Sequence, residues 1–77
     1  MSLRIFVGNL SYQVTDEDLH ESFAPFGEIA FSRVILDRDS GKSRGFGFVE
    51  FLQEEAGKEA IKSLANKELK GRPLRLR

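Results

Sequence analysis

Three phenylalanines and a set of arginines are the residues whose types and spacing could do chemistry. In Arg44-Gly45-Phe46-Gly47-Phe48-Val49-Glu50-Phe51, strand alternation turns Arg44, Phe46, Phe48 and Glu50 to one side. Gly45, Gly47, Val49 and Phe51 go to the other side and fill the inward positions. Leu3, Ile5 and Val7 alternate in the same way with Arg4, Phe6 and Gly8. Exposed aromatic faces can stack on planar rings, and guanidinium groups can pair with phosphate or carboxylate. Each displayed ring forgoes about 1.5–3 kcal/mol of burial. An apolar patch with a polar rim marks a binding surface.

Proton-transfer and metal chemistry have little to work with. The chain has one His and no Cys, so His20 lacks a second His or Cys to share a metal with. No Ser, His and acid arrangement stands out. Gly41-Lys42-Ser43 resembles the end of a phosphate-binding loop, but Leu36 stands where that pattern needs glycine, and a strand follows rather than a helix. Gly45-Phe46-Gly47 lies inside a strand, so it is no dinucleotide fingerprint. The sequence therefore predicts a binding protein without catalytic residues, metal or cofactor.

The elements that must hold these side chains follow from periodicity. A first strand runs through Leu3, Ile5 and Val7. Thr15 caps a helix whose first turn holds Asp16, Glu17 and Asp18, with Val14 stapled to Leu19. Leu19, Phe23 and Phe26 form its core side, and Ala24-Pro25 ends it. A second strand spans about Ile29 to Leu36, and a turn-rich, mobile basic loop, Asp37 to Ser43, leads into a third from Arg44 to Phe51. Ala56, Ala60, Ile61 and Leu64 give a second amphipathic helix, in which Gly57 costs about 1 kcal/mol relative to Ala. Lys67 to Gly71 reads as a turn. Leu74 and Leu76 alternate with Arg75 and Arg77 in a last strand.

The order is strand, helix, strand, strand, helix, strand, an α+β, ferredoxin-like βαββαβ arrangement. It predicts a four-stranded antiparallel sheet in the order 4-1-3-2, with both helices on one face and the other face open. A chain of 77 residues makes one domain over residues 1–77. In the second strand, Ser32 and Val34 point inward and Phe31, Arg33 and Ile35 outward. Ser32 interrupts an otherwise aliphatic inward set.

The octamer Arg44 to Phe51 matches every position of the octamer pattern of the RNA recognition motif, and Ile5-Phe6-Val7-Gly8-Asn9-Leu10 resembles that family's companion hexamer. The resemblance covers Leu3 to Arg77. It implies that Phe6 and Phe48 each stack on a base, that Phe46 packs on the sugars between them and that Arg44 binds the intervening phosphate. It also implies base-edge hydrogen bonds from Asn9 and from the last strand's backbone. Phe31 is expected to extend the platform to a third nucleotide. Arg4, Arg33, Arg75 and Arg77 complete the candidate site.

Twelve Lys and Arg balance twelve Asp and Glu, which by the sum alone disfavours a polyanion partner. By position the balance divides. The expected open face carries Arg4, Arg33, Arg44, Arg75 and Arg77 against Glu50, a net of +4. The helices hold Asp16, Glu17, Asp18, Glu21, Glu54, Glu55 and Glu59 against Lys58 and Lys62, a net of −5. Such a field orients an anionic strand toward the aromatic face. The expected partner is single-stranded RNA, with single-stranded DNA as an alternative, bound by a monomer. A protein partner docking on the acidic helices is the competing reading. No run approaches the roughly 20 apolar residues of a membrane span. No signal or transit peptide is recognised, and the expected compartment is cytoplasmic, with the nucleus as the alternative.

Overall fold

A computed structural model describes the whole chain from Met1 to Arg77. β1 (Leu3–Gly8) leads to α1 (Asp16–Phe23), which runs into a 3-10 turn, Ala24–Phe26. β2 (Ile29–Leu36) and β3 (Ser43–Phe51) form a hairpin, followed by α2 (Glu54–Leu64). β4 (Glu68–Leu69) and β5 (Arg72–Pro73) form a small separate hairpin, and β6 (Arg75–Leu76) closes the chain. The main sheet is antiparallel in the order β2-β3-β1-β6. With β6 as the fourth strand, this is the 4-1-3-2 order that the ferredoxin-like arrangement predicts. No helix is long and apolar enough to cross a membrane.

The pairing of β1 with β3 separates two faces. Leu3 opposes Phe51, Ile5 opposes Val49 and Val7 opposes Gly47 on the helix side. Ile5, Val7, Val49 and Phe51 are wholly buried there with Leu19, Phe23 and Ala60. Arg4 opposes Glu50 and Phe6 opposes Phe48 on the other side, which no helix covers.

Local sequence explains how the helices are held. Thr15 Oγ1 accepts from the Asp18 N–H (3.2 Å), and the Thr15 N–H donates to Asp18 Oδ2 (2.9 Å). This reciprocal cap satisfies two of the donors a helix start would leave open. Val14 and Leu19 are both buried beside it, as the staple requires. The 3-10 turn turns Phe26 against the core. In α2, Gly57 is buried because β1 approaches closely: a Cβ there would stand 2.6 Å from Leu3 Cδ2. The glycine that weakens the helix is what lets it lie on the sheet.

Three features differ from the sequence reading or extend it. Ile29 pairs with Phe51 and Phe31 with Glu50, so Ala30 is an extra residue in β2. This bulge lets Ile29 face inward while Phe31 faces outward. Lys67 to Gly71 is not a simple turn. Glu68–Leu69 pairs with Arg72–Pro73 across Lys70 and Gly71, both at positive φ (51° and 86°), as a type I′ hairpin turn requires. The β2–β3 loop is organised by one carboxylate: Asp37 Oδ1 accepts from the N–H groups of Asp39 (2.9 Å) and Ser40 (3.0 Å).

Ser32 does point toward the helices. Its hydroxyl donates to the Asp16 carbonyl oxygen (3.2 Å), while Asp16 Oδ1 accepts from the Val34 N–H (2.6 Å). A polar residue fits this inward position because it meets the start of α1, and the outward placement of Phe31 and Arg33 follows.

Candidate nucleic-acid interface

β1 and β3 bring the three phenyl rings together by register. Phe6 and Phe48 are cross-strand partners, with ring centroids 5.8 Å apart and planes at 70°. Phe46 lies 5.6 Å from Phe6 at 28° and 6.2 Å from Phe48 at 90°. All three are half-buried, each ring using its neighbours to cover part of its surface. Gly8 makes this possible, because a Cβ there would come 2.7 Å from Phe6 Cε2. The Phe6 ring lies over the space where a side chain at position 8 would be.

β6 continues the face. The Phe6 N–H donates to the Arg77 carbonyl oxygen (2.9 Å), and the Arg77 N–H donates back to Phe6 O (3.0 Å). Gly8 pairs with Arg75. A shallow hollow is lined by Phe6, Asn9, Phe46, Arg75 and Arg77, with Gly8 and Gly45. On the other flank Arg33 pairs with Phe48. Arg33, Arg44, Arg75 and Arg77 form no salt bridge, whereas Arg4 Nε lies 3.2 Å from Glu50 Oε1. The strand pairing places Arg33, Arg75 and Arg77 on the open face, which keeps its net positive charge on these three guanidiniums; Arg44 lies before Gly45, whose φ of 82° breaks the alternation.

Arg4 and Phe31 meet at one end of the sheet, with the Arg4 guanidinium carbon 5.3 Å from the Phe31 centroid. Phe31 is half-buried on the same face as the platform. The register thus brings together Phe6, Phe46 and Phe48 with Arg33, Arg75 and Arg77, and sets Arg4 and Phe31 beside them. Arg44 stands at the start of β3, where its charge is the weakest of the influences that hold the Asp37 carboxyl below its ordinary value; the Ser40 and Asp39 N–H groups are the largest.

Asn9 has a structural role that the sequence did not reveal. Its Nδ2 donates to the Pro73 carbonyl oxygen (2.8 Å), and its Oδ1 accepts from Arg72 Nη2 (2.6 Å). Asn9 also has positive φ, 58°, which Asn tolerates better than most residues. Its amide ties the β4–β5 hairpin to the end of β1 with one Nδ2 hydrogen and one Oδ1 lone pair, and its second hydrogen and second lone pair make no bond within the protein. Arg72, the other half of this tie, carries no signal in the sequence because it falls between the segment read as a turn, Lys67 to Gly71, and the alternating last strand. Lys70 Nζ, at the hairpin's tip, lies 3.4 Å from Asp18 Oδ2. Asp18 is held below its ordinary pKa chiefly by the Thr15 N–H, with Lys70 adding to the effect and partial desolvation opposing it.

No group of three or more His, Cys, Asp or Glu side chains is placed to hold a metal ion. The fold and this face define a class of protein that binds through an open, aromatic sheet surface. The RNA recognition motif model matches residues 5–75. Glycine-rich RNA-binding protein 8 of Arabidopsis thaliana is 51% identical over 69 residues, covering 90% of this chain and 41% of its own length. The mitochondrial glycine-rich RNA-binding protein 4 of the same plant is 47% identical over 76 residues, covering 99% of this chain and 56% of its own. This chain therefore spans about half the length of the curated relatives it matches. Among solved structures, RNA binding protein PG1 superimposes with a TM-score of 0.95 at 44% identity, over 97% of this chain and 90% of that one. The Sxl-lethal protein/RNA complex gives 0.89 at 33% identity, over 96% and 46%. The chain belongs to the RNA recognition motif family.

Proposed function

We propose that this module binds single-stranded RNA across the open face of its sheet, with successive bases stacked on Phe6 and Phe48. Phe46 packs against the sugars between them, and Arg44 binds the intervening phosphate. The observation that carries this reading is the cluster of three half-exposed phenyl rings, with centroids 5.6 to 6.2 Å apart, bordered by guanidiniums that no carboxylate neutralises. Stacking contributes about 1–3 kcal/mol per base and tolerates any base, since each has a π-face. Arg33, Arg75 and Arg77 attract the backbone from both flanks, and Phe31 with Arg4 lengthens the platform. Asn9 acts as a positioning residue, holding the segment that delivers Arg75 and Arg77.

Single-stranded DNA shares the stacking and phosphate chemistry and is the alternative strand. The module acts as a monomer, and its compartment is the cytoplasm or, alternatively, the nucleus; sedimentation and a fluorescent fusion test these two statements. The central test is a titration of isotope-labelled protein with short randomised RNA and DNA oligomers, followed by amide shifts. Shifts are expected at Phe6, Phe46, Phe48, Arg44 and the flanking arginines. The double variant Phe46→Ala/Phe48→Ala should lose most affinity while keeping its helical circular dichroism. Retained affinity in that variant would remove the stacking mechanism.

A further inference from the structure

A second constellation lies on the open face beside the phenyl platform. Cross-strand pairing sets Phe31 on β2, Glu50 on β3 and Arg4 on β1 in one row, Phe31 opposite Glu50 and Glu50 opposite Arg4. Arg4 Nε donates to Glu50 Oε1 (3.2 Å), and the guanidinium stands over the Phe31 ring at 5.3 Å. Glu50 fills the one position that the octamer pattern leaves open to any residue. The row is therefore a property of this sequence and not of the motif.

An acid on a phosphate-binding face is an electrostatic liability unless it is paired. Here the Arg4–Glu50 pair is neutral, while Arg33, Arg44, Arg75 and Arg77 have no salt-bridge partner. The face is thus divided into a cationic border suited to phosphates and a neutral end that is not. That neutral end has an aromatic floor, a donor and an acceptor side by side, which suits a base. Glu50 Oε2 makes no hydrogen bond within the protein, and Arg4 uses only its Nε. Along the row the functions run from the free guanidinium Nη–H donors to the Glu50 carboxylate, whose Oε2 is unbonded and whose Oε1 is released when Arg4 shifts. Guanine presents the complementary edge: O6 accepts, and N1–H and N2–H donate. Uracil offers an acceptor on each side of one donor, so its second carbonyl would face the carboxylate. Cytosine and adenine present their amino group where the guanidinium donates.

We propose that Phe31, Arg4 and Glu50 form a third nucleotide subsite that selects guanine, a proposal that rests on the RNA-binding reading above. The base stacks on the Phe31 ring in place of the Arg4 guanidinium. Arg4, with a side chain 62% exposed, shifts to the base edge and donates to O6. Glu50 accepts from N1–H and N2–H. A site built around hydrogen bonds discriminates strongly against a base that leaves them unmade.

The test uses fluorescently labelled six-nucleotide uridine RNA, the same RNA with one guanosine at each position in turn, and the matching inosine series, which lacks only the N2 amino group. In anisotropy titrations, the best-placed guanosine should tighten binding about tenfold over all-uridine RNA, and inosine should lose much of that gain. Glu50→Gln, close to isosteric, should erase the difference between guanosine and inosine. Phe31→Ala should bring the guanosine RNA close to the all-uridine affinity, whereas Phe31→Tyr should keep the preference. Equal binding of the guanosine, inosine and uridine series by the unaltered protein would overturn the subsite, as would a preference that survives Glu50→Gln. The RNA-binding reading is judged separately by Phe46→Ala/Phe48→Ala, which should weaken every oligomer alike. Failure of the unaltered protein to bind any oligomer would overturn both.

Discussion

Phe6 and Phe46 lie with centroids 5.6 Å apart and planes 28° from parallel, and the absence of a side chain at Gly8 is what allows it. A Cβ at position 8 would meet Phe6 Cε2 at 2.7 Å, the far end of a ring that can swing away. Gly8→Ala should therefore leave the fold nearly as stable, changing it by less than about 1 kcal/mol, yet displace the Phe6 ring. RNA affinity should fall about fivefold or more as one stacking surface is lost. Urea melts and anisotropy titrations on the same variant separate the two effects; equal losses in both would refute this account.

The Asn9 tie joins residues more than sixty positions apart, Asn9 to Pro73 and Arg72 to Asn9. Asn9→Gly keeps the positive φ but removes both hydrogen bonds, whereas Asn9→Ala also strains the backbone. The glycine variant should lose about 1–2 kcal/mol, and the alanine variant about 1 kcal/mol more. Amide shifts should spread through Glu68–Pro73 and into Arg75. A change confined to Asn9 and its two chain neighbours would show that the hairpin is held by other means.

These two relationships differ in how far the sequence reveals them. The sheet face was legible because β1 from Leu3 to Val7 and β3 from Phe46 to Phe51 alternate without interruption, so Phe6, Phe46, Phe48, Arg4 and Glu50 sort by position alone; the irregularity before them, at Gly45 with φ 82°, does not disturb these residues. The register of β2 is less open to reading: the bulge at Ala30 carries no Gly or Asn to mark it, and it follows from burying Ile29 while Phe31 faces outward. The β4–β5 hairpin has arms of two residues, too short for any period to show. The engagement of Asn9 was hidden because hydrogen-bond partners far apart in sequence leave no local signature.

Arg44 has no carboxylate partner within salt-bridge distance, so its charge is available to a phosphate. Arg44→Glu should weaken binding to all RNA sequences alike. The slope of log affinity against log salt should become shallower by about 0.7, one phosphate contact on a single strand. Titrations at several salt concentrations measure it. An unchanged slope would assign Arg44 to some other role.

Two carboxylates link stability to pH. Asp18 is held below its ordinary pKa first by the Thr15 N–H, and Asp37 first by the Ser40 N–H. A carboxyl with a lower pKa in the folded than in the unfolded chain stabilises the fold at neutral pH, and that contribution is lost as pH falls through the folded-state value. Stability should therefore be level near neutrality and decline in the acid range, down to below the ordinary carboxylate pKa. Asp18→Asn and Asp37→Asn should each lower the neutral-pH plateau and make the acid decline less steep. Urea midpoints measured across the acid range test this; parallel curves for variant and parent would exclude the carboxylate as the cause.

Gly57 sets two effects of opposite sign against each other. Alanine there would improve the intrinsic helicity of α2 by about 1 kcal/mol. Its Cβ, however, would stand 2.6 Å from Leu3 Cδ2 and 3.1 Å from Leu3 Cβ. The second atom is fixed to the β1 backbone and cannot turn aside, and overpacking of this kind costs about 1–3 kcal/mol. Gly57→Ala should therefore destabilise by up to about 2 kcal/mol instead of stabilising, as it would at an exposed helical site. Leu3→Ala removes the obstructing atoms beyond Cβ, so Leu3→Ala/Gly57→Ala should be more stable than the two single losses predict, by about 1 kcal/mol. A double-mutant cycle from urea melts gives this coupling directly. Additivity would mean that α2 relaxes away from β1 without using Leu3, and that the close approach does not depend on glycine.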